Sequence, residues 1–122
     1  MKKIILISIF GIIGLTGCYR DTEAELYPGT ATCDTTGSTY TTTVAPLLQG
    51  NGCVGCHSGG APSGNISLAA YTNVRTVALN GKLYGAISHA AGFSPMPKGG
   101  NKMSACNISK IKAWIDAGAA NN

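Results

Sequence analysis

Charge is scarce in this sequence. Only 11% of its residues are Asp, Glu, Lys or Arg, while 44% are hydrophobic. That balance excludes a chain held disordered by its own charge, which combines low hydrophobicity with high net charge. Basic excess is small too. The formal charge is +4 over 122 residues. Lys2 and Lys3 lie in a segment expected to be removed, leaving seven basic residues against five acidic ones. A nucleic-acid binder carries a stronger basic patch, so no nucleic-acid partner is expected. Aromatics are few, at 7%, and 17 glycines thin the supply of core-forming side chains further. The length supports one small domain, and there is no internal repeat. Cysteine is what the chain does have, five in all. In so short a chain with so thin a core, they point to a covalent or cofactor constraint.

Also missing is an apolar run long enough to anchor stably across a bilayer, which takes about 20 residues. Ile4 to Leu15 is apolar apart from Ser8, Gly11 and Gly14, and basic Lys2 and Lys3 precede it. This is the pattern of an export signal. Its end, Leu15-Thr16-Gly17-Cys18, resembles the bacterial lipobox, which implies cleavage before Cys18 and lipid on that cysteine. Asp21, Glu23, Glu25 and Pro28-Gly29 follow in a stretch with no sustained periodicity. The expectation is a lipoprotein signal peptide over 1–17, a flexible tether over 18–32 and a folded domain over 33–122. The protein is then extracytoplasmic and lipid-anchored to a bacterial membrane, the outer membrane in preference, at its periplasmic face or the cell surface.

The chemistry concentrates in Cys53-Val54-Gly55-Cys56-His57, the C-x-x-C-H pattern of covalent haem attachment. Two cysteines three apart on one tight turn can reach the two vinyl groups along one porphyrin edge. The adjacent His57 then brings its imidazole under the iron. Three rivals fit less well. A thioredoxin-like redox pair belongs in a βαβ surround, and none is visible. A zinc site needs a second ligand pair, whereas Cys33 and Cys106 are solitary and far away in sequence. A Cys53–Cys56 disulfide would be small and strained.

Two further segments join the motif: Ser94-Pro95-Met96-Pro97-Lys98-Gly99-Gly100 and Ile111-Lys112-Ala113-Trp114-Ile115-Asp116-Ala117-Gly118. Together they make the region from about Cys33 to Gly118 resemble a small class I monohaem cytochrome c domain. The likeness is to those of bacterial lipoproteins and of planctomycete and Bacteroidetes proteins. The resemblance implies an all-α fold of about four short helices around one covalent haem c, with the first and last helices crossing beside it.

Periodicity agrees with short helices. Val44, Leu47 and Leu48 give one apolar face before the motif, with Thr42 or Thr43 as the expected cap. Ala69 to Leu79 reads as a middle helix stopped by Asn80-Gly81, and Leu83 and Ile87 mark another turn. Ile108, Ile111 and Ile115 form the face of the last helix, with Trp114 on its flank and Gly118 closing it.

The iron's sixth ligand must come from the side opposite His57, and Met96, His89 and Met103 are the candidates. Met96 lies between two prolines, and a residue before proline is pushed out of the helical region. The result is a stiff loop that can aim a thioether at the iron. Met103 precedes Ser104, a candidate cap, and would pair with Ile108 as a hydrophobic staple. His89 reads as a surface or pocket histidine. Met96 is the ligand expected, with the other two and an open site as alternatives.

His/Met ligation raises the reduction potential and suits outer-sphere electron transfer. The expected partners are a redox protein donor and acceptor, and Lys82, Lys98 and Lys102 are candidates for steering acidic ones. Asp34 and Asp116 are the only acidic side chains in the domain, too few for a distal acid–base set, so an electron-transfer protein is expected in place of an enzyme. Two alternatives remain. One is a haem peroxidase or gas-binding module with a labile sixth site, and the other is a haem-free, disulfide-held surface lipoprotein.

Assigning Cys18 to lipid and Cys53 and Cys56 to haem leaves Cys33 and Cys106, which an exported protein should pair. By chain-entropy reasoning a bridge closing so long a loop stabilises by roughly 4 kcal/mol.

Cys18→Ser should release the protein from membranes or leave its signal uncleaved, while the domain still acquires its cofactor. Fractionation and intact mass check this. A wild-type protein that fractionates as soluble and carries no lipid mass contradicts the lipobox reading.

Overall fold

The computed structural model describes residues 33–122. Cys18, the signal peptide and the tether lie outside the described residues. Among those described there is no strand, and the architecture is all-α. A one-turn π-helix, Tyr40–Val44, runs directly into α1, Ala45–Gly50. After it come α2, Cys53–Cys56, then a 3-10 turn at Ser63–Asn65, α3, Tyr71–Leu79, α4, Lys82–Ile87, and α5, Ala105–Asp116. Among the described residues the α-helices number five where about four were expected, α2 being a single turn over the cysteine motif.

The first helix starts earlier than the threonine cap predicts. Thr39, not Thr42 or Thr43, is the cap, and its hydroxyl accepts the Thr42 amide at 3.1 Å. Pro46 explains the difference. A proline inside an α-helix has no N–H to donate and crowds the carbonyl four residues back. The chain widens ahead of it instead, with Val44 and Ala45 donating to Thr39 and Tyr40, five residues back.

Val44, Leu48, Val74, Ile111 and Trp114 are the largest fully buried side chains. Trp114 therefore sits in the core, and Ile115, expected on the face, is only half-buried. The indole can be enclosed because its one polar atom is satisfied, with Nε1 donating to Ala120 O at 2.9 Å. Met103 and Ile108 are both buried on either side of Ser104, whose hydroxyl accepts the Asn107 amide at 3.3 Å, the arrangement of a capped and stapled helix start.

The two ends of the described chain meet. The π-turn packs on α5, and Tyr40 lies with its ring centroid 5.0 Å from that of Tyr71 and 5.8 Å from that of Trp114. The amides of Tyr40 and Thr41 both donate to Asn122, each at 2.9 Å, and the Tyr71 hydroxyl donates to Ala119 O at 2.8 Å. Cys33 and Cys106 are disulfide-bonded, with Cα atoms 5.3 Å apart. The bridge ties the segment before the π-turn to the first turn of α5, and the expected pair is present.

Candidate functional site

Gly52, at φ 72°, turns the chain from α1 into α2, a conformation that a side chain disfavours. The single turn that follows carries both motif cysteines and ends with the His57 amide donating to Cys53 O at 3.0 Å. Cys53 is half-buried and Cys56 exposed, and both carry free thiols. Burial pushes the Cys53 thiol above its usual range, and the Cys56 sulfur adds in the same direction.

His57 organises the loop beyond the motif. Its carbonyl accepts the Leu68 amide at 2.6 Å, and its Nδ1 lies 3.0 Å from Ile66 O. A carbonyl oxygen only accepts, so Nδ1 is the donor, and in the neutral ring Nε2 carries the lone pair. This is the arrangement that readies an imidazole for a metal.

A cavity of about 590 Å³ opens beside this turn, lined by Cys53, Cys56, His57 and Met96. Such a volume lies within the range of about 300–1,000 Å³ for small-molecule and cofactor sites. Apolar side chains from several parts of the fold wall it, among them Leu68, Val77, Leu83, Ile87 and Phe93. Two free thiols, a preset imidazole and a thioether on an apolar cavity fit haem c chemically. Haem takes up sulfur at one edge, nitrogen or sulfur at iron, and hydrocarbon against its faces.

Met96 reaches the cavity from the loop after α4. Its amide donates to Ala86 O at 3.0 Å, and its peptide bond to Pro97 is cis. The other two ligand candidates lie elsewhere. Met103 is 6% exposed in the core, and it does not line the cavity. His89 is exposed and also off the cavity wall, with its Nε2 against Met96 O at 3.0 Å. Lys82 and Lys98 stand on the lining, whereas Lys102 does not. For the rivals, no strand among the described residues provides a βαβ surround, and Cys33 and Cys106 are tied to each other. Among the described residues no three His, Cys, Asp or Glu side chains gather into a metal-binding group.

Sequence reasoning missed two members of this site. The Phe93 ring lies over the backbone of Gly85 in α4, so close that a Cβ there would meet its carbons at 2.5 Å. Phe93 is thereby held at the cavity, although 41% exposed. A glycine inside a helical pattern is the signal that could have revealed it. The Ile66 carbonyl has no such signal, because any residue type supplies one.

Comparison with protein families, with curated proteins and with solved structures finds no match to this chain. The site is read from its own chemistry.

Alkylation of the unreduced, haem-free protein should label Cys56 first and the half-buried Cys53 more slowly. Cys33 and Cys106 should take label only after reduction, adding two groups in intact-mass analysis. Label on either of that pair before reduction contradicts the bridge.

Proposed function

We propose that this protein is a lipid-anchored, extracytoplasmic, monohaem c-type cytochrome that carries single electrons, with the described helices forming a small cytochrome c fold. The observation that carries the reading is His57. Its Nδ1 is tied to the Ile66 carbonyl, and it lines the same cavity as two free cysteines and Met96.

Bound haem supplies an iron centre that exchanges one electron at a time. Cys53 and Cys56 each give a thioether sulfur, so the cofactor stays attached through reduction and oxidation. His57 would offer Nε2 to the iron, and its bond to the Ile66 carbonyl keeps the ring from rotating. Met96 would supply a thioether sulfur to the iron and so keep water or a substrate from it. Its place on the wall favours an electron carrier over a peroxidase or gas-binding module. Leu68, Leu83 and Ile87 keep water from the remaining surface.

Lys82 and Lys98, at the cavity lining, put positive charge where a donor or acceptor protein would approach. The described region has six basic side chains against two acidic ones, so acidic redox partners are favoured, and their association should weaken with salt. On this reading lipid on Cys18 holds the protein at a membrane, with the segment over 18–32 as the tether.

Met96→Ala should retain covalent haem, because Cys53, Cys56 and His57 are untouched. Its absorption spectrum should change to that of an open or water-bound iron, which binds added carbon monoxide readily when reduced. The reduction potential should fall, since a thioether favours the ferrous state. Met103→Ala should leave the spectrum intact and cost about 2–5 kcal/mol of stability, as for any buried methionine truncated in a core. A spectrum that survives Met96→Ala unchanged contradicts the ligand assignment.

A further inference from the structure

His89 is an exposed residue with a left-handed backbone, φ 56°. Non-glycine residues seldom adopt that conformation, although histidine is among the types enriched there. The conformation persists where surrounding contacts determine it, and here those contacts converge on Met96. The Ala86 carbonyl accepts both the His89 amide at 3.3 Å and the Met96 amide at 3.0 Å. Ala90 folds back to donate to Gly85 O at 2.9 Å. The imidazole then reaches across the loop, with Nε2 at 3.0 Å from Met96 O. A carbonyl accepts, so Nε2 donates. Both polar backbone groups of Met96 are thus fastened to the C-terminal end of α4, one directly and one through His89.

This matters because a methionine side chain has three rotatable bonds and holds no direction by itself. A thioether is aimed only as well as the backbone that carries it. We infer that His89 is a positioning residue for Met96, a latch that slows departure of the sulfur from the iron. The inference rests on the haem reading given under Proposed function. An incoming ligand such as imidazole needs the space that Met96 fills. In the latch, the sulfur leaves by an outward shift of the loop, and that shift breaks the bond from His89.

The test compares ferric wild type with His89→Ala and His89→Gln. Both variants place an ordinary side chain at the same left-handed backbone, but only glutamine retains an N–H donor. His89→Ala should keep the wild-type resting spectrum, because Met96 remains the ligand at equilibrium. At saturating imidazole, where sulfur departure limits the rate, it should exchange roughly fivefold faster, as loss of one ordinary hydrogen bond predicts. His89→Gln should return most of that difference.

A wild-type rate in His89→Ala overturns the latch, and so do equal accelerations in the two variants, which would assign the effect to backbone conformation. The haem reading fails separately, if the wild type carries no covalent haem. In that event amide exchange of Met96 in the full haem-free chain decides the latch. Faster exchange in His89→Ala than in His89→Gln supports it, and no difference overturns it.

Discussion

The hydrogen bond that His57 Nδ1 donates to the Ile66 carbonyl, across 3.0 Å, governs what the rest of the site can do. It settles the tautomer, leaves Nε2 as the free nitrogen and fixes the plane of the ring. The local fold serves this contact. Gly52 starts the turn that sets the cysteines, the turn delivers His57 at its end, and the Leu68 amide closes the following loop onto the His57 carbonyl. An imidazole free to rotate would offer the same donor atom with no defined direction. On the proposed reading, Cys53 and Cys56 fix the cofactor's edge, and the Ile66 carbonyl fixes the angle at which the iron is met.

A chain with so few large apolar side chains holds this arrangement by bracing its periphery. The covalent tie from Cys33 to Cys106 joins the entry of the domain to the start of α5. At the other end of α5, Trp114, Tyr71, Tyr40 and Thr41 spend polar groups on residues 119–122. The buried Trp114 has its donor satisfied, as does the half-buried Tyr71, which avoids the cost of about 1–3 kcal/mol for an unpaired buried group. The helices are short, and no single one would be stable alone in water. Their persistence depends on packing into the shared core of Val44, Leu48, Val74, Ile111 and Trp114.

Residue types with strong local signatures were legible in the sequence. The all-α architecture, the stop at Asn80, the Ser104 cap and the Cys33–Cys106 pair follow from periodicity, capping chemistry and cysteine counting. Cys53, Cys56, His57 and Met96 could be named from spacing and neighbours, and all four line one cavity. Features that depend on tertiary context were not legible. Pro46 moved the first cap to Thr39 by forcing a wider turn, and Trp114 exchanged places with Ile115 because the indole found a carbonyl at Ala120. The Ile66 acceptor is backbone, so no side-chain pattern encodes it. His89 looked like a surface histidine and is exposed as such, and only the folded loop brings its ring to Met96 O.

The central claim is covalent haem on the Cys53–His57 turn, and the intact mass of the exported, denatured protein tests it most directly. Expression alongside haem-maturation machinery should give a polypeptide heavier by one haem, with no alkylatable thiol at Cys53 or Cys56. The added mass should survive denaturation and give a low-spin absorption spectrum in native protein. A polypeptide of unmodified mass at those positions, with both thiols open to alkylation after the same expression, contradicts the account.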